Sequence, residues 1–497
     1  MNIKRSMQLI SLCIITLFVI TPFANGVNEE ANICITSEVH FPRSYYEIQG
    51  GDSLTVLYPR SSIPVFVTKD DSFVIQFQSY SFDQVYASIE TAYDALPDTI
   101  PLTIQSIEQN DQIYYVHAHI PVDTPEELYN LTVTITSEEQ SFTQTRPRAV
   151  SVKQTIDDTF TFIQVADFHI GDPRGLKENP QEIFGWKASR RIIQEINLLQ
   201  PDFVIISGDL TFGQLYPFEY TYEYKKCYEI LQEFQVPTFL SPGNHDGYVQ
   251  TGQDGFKFWE TYFGPLYYSF DYGDYHFLSV NSYDWPKIAR IGFSYLVFNW
   301  GGSIQEDQLS WIRQDVEKHQ EMHLCMNLHH NPLWDTTSDS LVGKGYYSRE
   351  ELLDIIIENQ FDAVFAGHVH FDNVTLKEDT LFITTTTASS GLDHDDSYWG
   401  YRLIQVENNT ITSVNYKEPK YSIPSYHLNY SFSSDKSIVI ENDLDSDVSV
   451  IVEFVTSFGY YNVQNGEIVQ IRQKEDRAAY YVSAIIPANT EQSIMLL

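Results

Sequence analysis

The chain has 497 residues, 43% hydrophobic and 20% charged, the proportions of a folded protein rather than a disordered one. That length exceeds one ordinary domain and points to roughly two to four. With 67 acidic against 30 basic residues the formal net charge is −37. Such a surface repels polyanions, so nucleic-acid binding is not expected, and an anionic ligand has to be drawn in by local positive charge such as bound cations.

At the start, Lys4 and Arg5 precede a mostly apolar stretch, Leu9 to Ile20, too short for a comfortable membrane span. Pro22 and Ala24-Asn-Gly26 follow, with small residues where a signal peptidase reads. Residues 1–26 are therefore read as a signal peptide, which places the mature chain outside the cell or in the cell envelope. No later stretch has the uninterrupted apolar length of a span, so no transmembrane anchor is expected in the mature chain. Cys34, Cys227 and Cys325 remain after that segment, too few and too scattered for a disulfide framework. A Cys34–Cys227 bridge is conceivable, and Cys325, in an apolar run, reads as a small buried hydrophobe. Asn130, Asn373, Asn408 and Asn429 each open an Asn-x-Ser/Thr triplet.

From 27 to 155 short runs alternate apolar and polar residues: Leu54 to Tyr58, Phe73 to Phe77, Ile113 to His117 and Leu131 to Ile135. Gly50-Gly-Asp, Asp70-Asp and the segment Pro121 to Pro125 separate them. This is the pattern of an antiparallel, immunoglobulin-like β-sandwich, and it contains no catalytic cluster.

At Phe160 the pattern changes to strand, loop, helix. Lys187 to Gln200 carries Ala188, Ile192, Ile196 and Leu199 on one helical face. Phe203 to Ser207 reads as a buried strand, Tyr220 to Phe234 as a helix and Val236 to Leu240 as a strand. Ser303-Ile-Gln-Glu306 and Ser348-Arg-Glu-Glu351 have the form of capping boxes opening two more helices. Strands alternating with helices argue an α/β domain with buried sheets over 156–418. Beyond Tyr421 the helices stop. Lys436 to Ile440, Val448 to Val455, Glu467 to Arg472 and Ala478 to Ile486 are strand-like, which predicts a small C-terminal β-domain over 419–497.

Within the α/β domain five blocks follow one rule: an apolar strand ends in metal-ligand residue types. They are Ala166-Asp-Phe-His169, Ser207-Gly-Asp-Leu210, Ser241-Pro-Gly-Asn-His-Asp246, Leu328-His-His-Asn-Pro332 and Ala366-Gly-His-Val-His370. In open α/β sheets, ligands gather outside the carboxyl ends of strands, so such blocks can converge. Asp167 and His169 lie two positions apart, and face the same side if the extended conformation persists to the strand end. Gly208, Gly243 and Gly367 precede ligand-bearing segments, where the backbone turns sharply or approaches closely. Mixed oxygen and nitrogen donors suit a pair of divalent ions, with Mn, Fe, Zn and Co all compatible. Two divalent ions, two carboxylates and a bridging hydroxide leave such a site about one unit positive, enough to hold a phosphate on an acidic protein.

The ordered set Asp-x-His, Gly-Asp, Gly-Asn-His-Asp, His before Pro and Gly-His-x-His resembles the calcineurin-like metallophosphoesterase superfamily over Phe160 to Val406. The resemblance implies two β-sheets packed together and flanked by helices. It implies that Asp167, His169 and His370 bind one metal, that Asn244, His329 and His368 bind the other, and that Asp209 bridges them. His245 would sit beside the substrate phosphate and protonate, or hydrogen-bond to, the leaving oxygen. The implied activity is hydrolysis of a small phosphodiester or phosphomonoester by metal-activated hydroxide. Phe212 stands where purple acid phosphatases carry an iron-binding Tyr, and His169 where they usually have Gly. The run Gly208-Asp-Leu-Thr-Phe-Gly-Gln214 lacks the Arg of the protein Ser/Thr phosphatases. What remains is similar to the bacterial and archaeal phosphoesterases with Asp-x-His.

Other residues have plainer readings. Of His329 and His330 only one can enter the same site from extended backbone, and the family pattern selects His329; His330 is read as packing beside it or touching phosphate. Asp246 reads as a cap or an outer support. His276, His319 and His323 read as structural or solvent-facing, Arg174, Arg190 and Arg191 as surface charge, and the tyrosines from Tyr216 to Tyr228 as packing. His394 falls in a loop near the end of the domain. The segments Asp172 to Trp186 and Asp284 to Gly302 are the candidate caps over the site. The competing class is an extracellular binding or structural protein with a vestigial phosphoesterase domain. Loss of a ligand residue would favour it, and every position is filled.

Overall fold

The computed structural model describes residues 54–497 except 93–95, 97, 139, 173–185, 215–218, 251, 294–295, 334–344 and 393–394. The expected signal peptide, Cys34, Arg174, His394 and most of the 172–186 cap lie outside the described residues.

The apolar runs that end in the five blocks become the middle strands of two mixed sheets. In the first sheet the order is Thr238–Ser241, Phe203–Ser207, Phe160–Val165, Gly400–Glu407, Thr410–Ser413. Its first three strands are parallel, and Gly400–Glu407 runs antiparallel beside Phe160–Val165. The second sheet has the order Tyr268–Tyr272, Tyr275–Ser279, His323–Asn327, Ala363–Ala366, Thr380–Thr384, Asn373–Lys377. Its four inner strands are parallel.

Near-continuous apolar strands need cover on both faces, and here they have it. One face of the first sheet, with Ile163, Val165, Val204, Ile206 and Leu240, packs on the helices Trp186–Leu199 and Glu219–Leu231. The outer face of the second, with Leu278, Leu324, Met326, Val364 and Phe382, packs on Glu306–Lys318 and Arg349–Glu358. Between the sheets lie Phe162, Phe203, Phe239, Phe270, Phe277 and Phe365. This is the two-sheet, helix-flanked metallophosphoesterase fold.

Strands flank it on both sides in sequence. Before it stand a four-stranded sheet (Leu54–Tyr58, Ser72–Ser79, Ile113–His119, Thr103–Asn110) and a five-stranded one (Val65–Thr68, Ser141–Lys153, Glu127–Thr136, Gln84–Thr91, Thr99–Pro101). After it stand a four-stranded and a three-stranded antiparallel sheet, the latter of Val448–Ser457, Arg477–Ile486 and Glu467–Lys474. Arg148 reaches from the first of these regions to the carbonyls of Leu231 and Val236, at 2.9 and 2.6 Å. Arg191 reaches Asn429 Oδ1 of the last region at 2.5 Å.

Neither capping box forms. Ser303 is held in β-bridges to Tyr283 and Tyr347, so Gln305 becomes the N-cap, and its N–H is accepted by the Asp284 carboxylate at 3.1 Å. Ser348 is the N-cap of its helix but adopts φ 56°, and its side chain makes no capping bond. Arg190 and Arg191 are not simply solvated: each pairs with a glutamate, Glu233 at 2.8 Å and Glu195 at 3.0 Å.

Candidate metal centre

The first sheet delivers its ligand types at the ends of Phe160–Val165, Phe203–Ser207 and Thr238–Ser241, and the second at the ends of His323–Asn327 and Ala363–Ala366. Side-chain alternation is not what makes them converge. The extended backbone stops at Val165, and Asp167, His169, Asp209, His368 and His370 all take left-handed φ, between 46° and 79°. Non-glycine residues rarely sit there, and strain of this kind is held only where surrounding contacts over-determine it. Those contacts are present: Ala388 N and Ser389 N donate to the carbonyls of Ala166 and Asp167, and His169 N donates to Asp209 O at 2.9 Å. Gly208 has φ +81°, and a Cβ there would lie 2.5 Å from His329 Nδ1; a Cβ on Gly243 would lie 2.1 Å from Asp209 Oδ1. Both glycines are therefore required by close approach.

Asp209 lies at the middle. Its Oδ2 is 3.2 Å from His169 Nε2, 3.1 Å from His329 Nε2 and 4.0 Å from His245 Nε2. Asp167 Oδ1 is 3.4 Å from His370 Nε2 and 3.6 Å from His169 Nε2. The donor atoms of Asp167, His169 and His370 lie within 4.8 Å of one another, as do those of His329, His330 and His368. His368 is half-buried, and its N–H donates to Asp167 Oδ2 at 3.0 Å. Asn244 opens the short turn Asn244–Gly247, with its amide N–H donating to Tyr248 Oη at 2.6 Å. That leaves Asn244 Oδ1 buried without a hydrogen-bond partner, and His169 Nε2 and His329 Nε2 are likewise buried without one. Buried orphan acceptors of this kind call for a cation.

Protons and hydrogen bonds arrange the rest. His329 Nδ1 donates to the Ser207 carbonyl at 2.7 Å, which leaves Nε2 as its free lone pair. His245 Nδ1 donates to the Phe212 carbonyl at 2.5 Å, and this turns Nε2 toward Asp209. Burial pushes the His245 pKa down to about 3 against the pull of Asp209, so its imidazole is neutral. Burial also opposes ionisation of Asp167 and Asp209, but the surrounding imidazoles outweigh it and hold both carboxyls well below the usual range. The same pairing, against burial, raises His169 and His329 to about 9. The cluster thus takes up positive charge wherever it can, as protons or as metal ions.

Asp246 is the support expected of it. Buried completely, it accepts from Gly243 N, Leu210 N, Thr211 N and Thr211 Oγ1, between 2.9 and 3.2 Å, and ties the second block to the third. His330 is also buried, with Nδ1 on Ser282 Oγ and Nε2 on the Trp300 carbonyl at 2.8 Å. It therefore fastens the 284–302 cap to the fourth block. Two tyrosines of the 216–228 run pack as expected and also anchor, Tyr220 on the His245 carbonyl at 2.7 Å and Tyr224 on that of Asp246 at 2.8 Å. Sequence reasoning missed Tyr248 and Ser282. Tyr248 had a usable signal, four residues after Asn244 across a turn. Ser282, which accepts the N–H groups of His329 and His330, had none, because it comes from the turn after the neighbouring strand Tyr275–Ser279, far away in sequence.

The family model for calcineurin-like phosphoesterases matches residues 160–372. This chain carries a calcineurin-like phosphoesterase domain. A probable glycerophosphodiester phosphodiesterase of Arcobacter nitrofigilis is 27% identical over 231 residues, 46% of this chain and 78% of that protein. A probable cyclic nucleotide phosphodiesterase of Fibrobacter succinogenes is 24% identical, over 45% of this chain and 78% of that one. Purple acid phosphatase 23 of Arabidopsis thaliana is 27% identical over 206 residues, 34% of this chain and 41% of that one. The calcineurin-like domain is a metal-dependent phosphoric ester hydrolase, and its substrates are phosphoesters. Among the described residues no helix is long and apolar enough to cross a membrane.

Proposed function

We propose that the chain is an exported phosphodiesterase with a two-metal centre, working on small diesters outside the cell or in its envelope. One observation carries the centre: Asp209 Oδ2 stands 3.2 and 3.1 Å from two imidazole nitrogens that come from different sheets and have no hydrogen-bond partner. A carboxylate so placed suits a bridge. Asp167, His169 and His370 would complete one metal site, and Asn244, His329 and His368 the other. A pair of divalent ions, Mn, Fe, Zn or Co, supplies Lewis acidity, lowering the pKa of water and offsetting phosphate charge.

The chain's own residues do the rest. The left-handed turns hold the donors in place before any ligand arrives, so little reorganisation is needed on binding. His245 keeps its Nδ1 proton on Phe212 and presents Nε2 to the site. It accepts a proton there while neutral, and it donates one to the departing alkoxide once an anion opposite has raised its pKa. The described ends of the 284–302 segment are tied together beside the site: Trp285 donates to the Gly301 carbonyl at 2.7 Å and Tyr283 to that of Asn299 at 2.6 Å. Preference for diesters is supported by two relatives named as phosphodiesterases, each matched over 78% of its length. Export is supported by the basic and apolar character of residues 1–26.

The test is a panel of bis-aryl and mono-aryl phosphates, run with each metal on the wild type and on Asn244→Ala. The diester should turn over faster, only with metal, and Asn244→Ala should lose about a hundredfold or more in kcat/KM, beyond what outer-shell partners typically cost. Wild-type turnover by Asn244→Ala would reject the assignment.

A further inference from the structure

The space between the two sheets changes character along its length. Away from the site it is aromatic: Phe162 stacks on Phe203 at 4.9 Å, and Phe277 meets them at 5.6 and 5.4 Å. Further along the strands, on the same inward face, stand Gln164, two residues past Phe162, Ser207, four past Phe203, Ser279, two past Phe277, and Asn327, joined by Thr385. All five are at most 1% exposed. They bond to one another in a closed layer. Gln164 Nε2 donates to Ser207 Oγ at 2.9 Å and to the Ala366 carbonyl at 2.8 Å, and its Oε1 accepts from Thr385 Oγ1 at 2.6 Å. Ser207 Oγ donates to Asn327 Oδ1 at 2.8 Å. Asn327 Nδ2 donates to the Ile206 carbonyl at 3.2 Å and to Ser279 Oγ at 3.4 Å.

A core gains no more stability from such a layer than from well-packed apolar side chains, since each polar group has first to be desolvated. Its placement gives it another use. Ser207 stands two residues before Asp209, and its carbonyl fixes His329. Asn327 stands two residues before His329, Ala366 two before His368, and Gln164 three before Asp167. Apolar attraction is non-directional, whereas hydrogen bonds fix both a distance and an angle between the groups they join. Donor sets need to be held within about 0.5 Å to bind well.

We propose that Gln164 is a positioning residue: by bonding at once to Ser207 of the first sheet and Ala366 of the second, it fixes the register between the donors of the two sheets and so sets the affinity for metal. This rests on reading the cluster above as a metal centre.

The experiment compares Zn2+ affinity, measured by competition with a fluorescent chelator, in the purified full chain. The variants are the volume-conserving Gln164→Met and Phe277→Leu, which loosens the aromatic layer of the same interior. Ser207→Ala, which keeps the carbonyl bond to His329, serves if Gln164→Met does not fold. Both layer variants should bind Zn2+ about 10–100-fold more weakly than the wild type, as expected for an outer support, and Phe277→Leu should bind as the wild type does at a similar loss of melting temperature. Equal affinity in the layer and aromatic variants would overturn the positioning role while leaving the metal centre intact. A wild type that takes up no Zn2+, Mn2+ or Co2+ would overturn both.

Discussion

In the proposed centre Asn244 would contribute one oxygen, and which amide atom it presents is decided by Tyr248. The tyrosine hydroxyl accepts the amide N–H at 2.6 Å, which leaves Oδ1 turned inward. Tyr248→Phe removes that acceptor and frees the amide to rotate, at no cost in volume. Of the two sites proposed above, the one that includes Asn244 should lose about 10–100-fold in affinity, measured by calorimetric titration, while the other keeps its affinity. Two sites of unchanged affinity would show that packing alone orients Asn244. The ligand residue types were legible in the sequence because each sits beside its own strand end. Ser282 is not marked in the same way, since its value depends on what the folded chain brings opposite it; Tyr248 is marked only by its spacing of four from Asn244.

At the scale of single strands and helices, the sequence located the strands well and their endings poorly. Hydrophobic runs name a buried strand whatever its partner, so Phe203 to Ser207 was readable as it stands. The left-handed turns after Val165, Ser207 and Ala366 were not, because Asp and His are uncommon there without a fold to hold them. The capping boxes failed for the same reason: backbone pairing with Tyr283 and Tyr347 claimed Ser303 first. His276 is a further case. Of the structural and solvent-facing roles open to it from sequence it takes the structural one: it is fully buried in its strand, bonded through Nδ1 to Asp271 at 2.6 Å and through Nε2 to Asp315 at 2.9 Å. Both partners are carboxylates, so the ring is an imidazolium. It lies flat on His319, centroids 3.7 Å apart. Burial works against the charge, but the two carboxylates raise the pKa to about 9. Unfolded, the same ring titrates near about 6.5. A raised folded pKa means that this stabilisation is complete below pH about 6.5, declines above it and is gone past about 9. Its size is of the order of 3 kcal/mol. Urea unfolding of the wild type and His276→Gln should therefore differ by that much at pH 6, and the gap should close by pH 9.5. Taking the difference cancels other titrating groups common to both proteins. A gap independent of pH would mean that the ring is not charged.

Over the whole molecule, the question is whether the flanking β-sheets shape the chemistry or only support it. Arg148, 2% exposed, is the clearest link from the N-terminal strands. Its guanidinium donates to the carbonyls of Leu231 and Val236 and to Thr238 Oγ1, at 2.9, 2.6 and 3.4 Å, along the loop that leads into the Thr238–Ser241 strand. That strand runs straight into Gly243-Asn-His-Asp246. A disturbance at Arg148 could in principle travel to Asn244 and His245. The turn that carries them, however, is held by other residues: Asp246 by its bonds to Gly243, Leu210 and Thr211, and the carbonyls of His245 and Asp246 by Tyr220 and Tyr224. None of these comes from the flanking strands. Arg148→Met leaves buried carbonyls without donors and should cost about 2–4 kcal/mol, seen as a lower urea midpoint by tryptophan fluorescence. Its kcat/KM on a bis-aryl phosphate, measured well below the transition, should stay within about twofold of wild type, because sites without shared partners act independently. A fall of about tenfold or more in that ratio at full foldedness would reverse the conclusion, and would make the N-terminal strands part of the catalytic apparatus rather than its buttress.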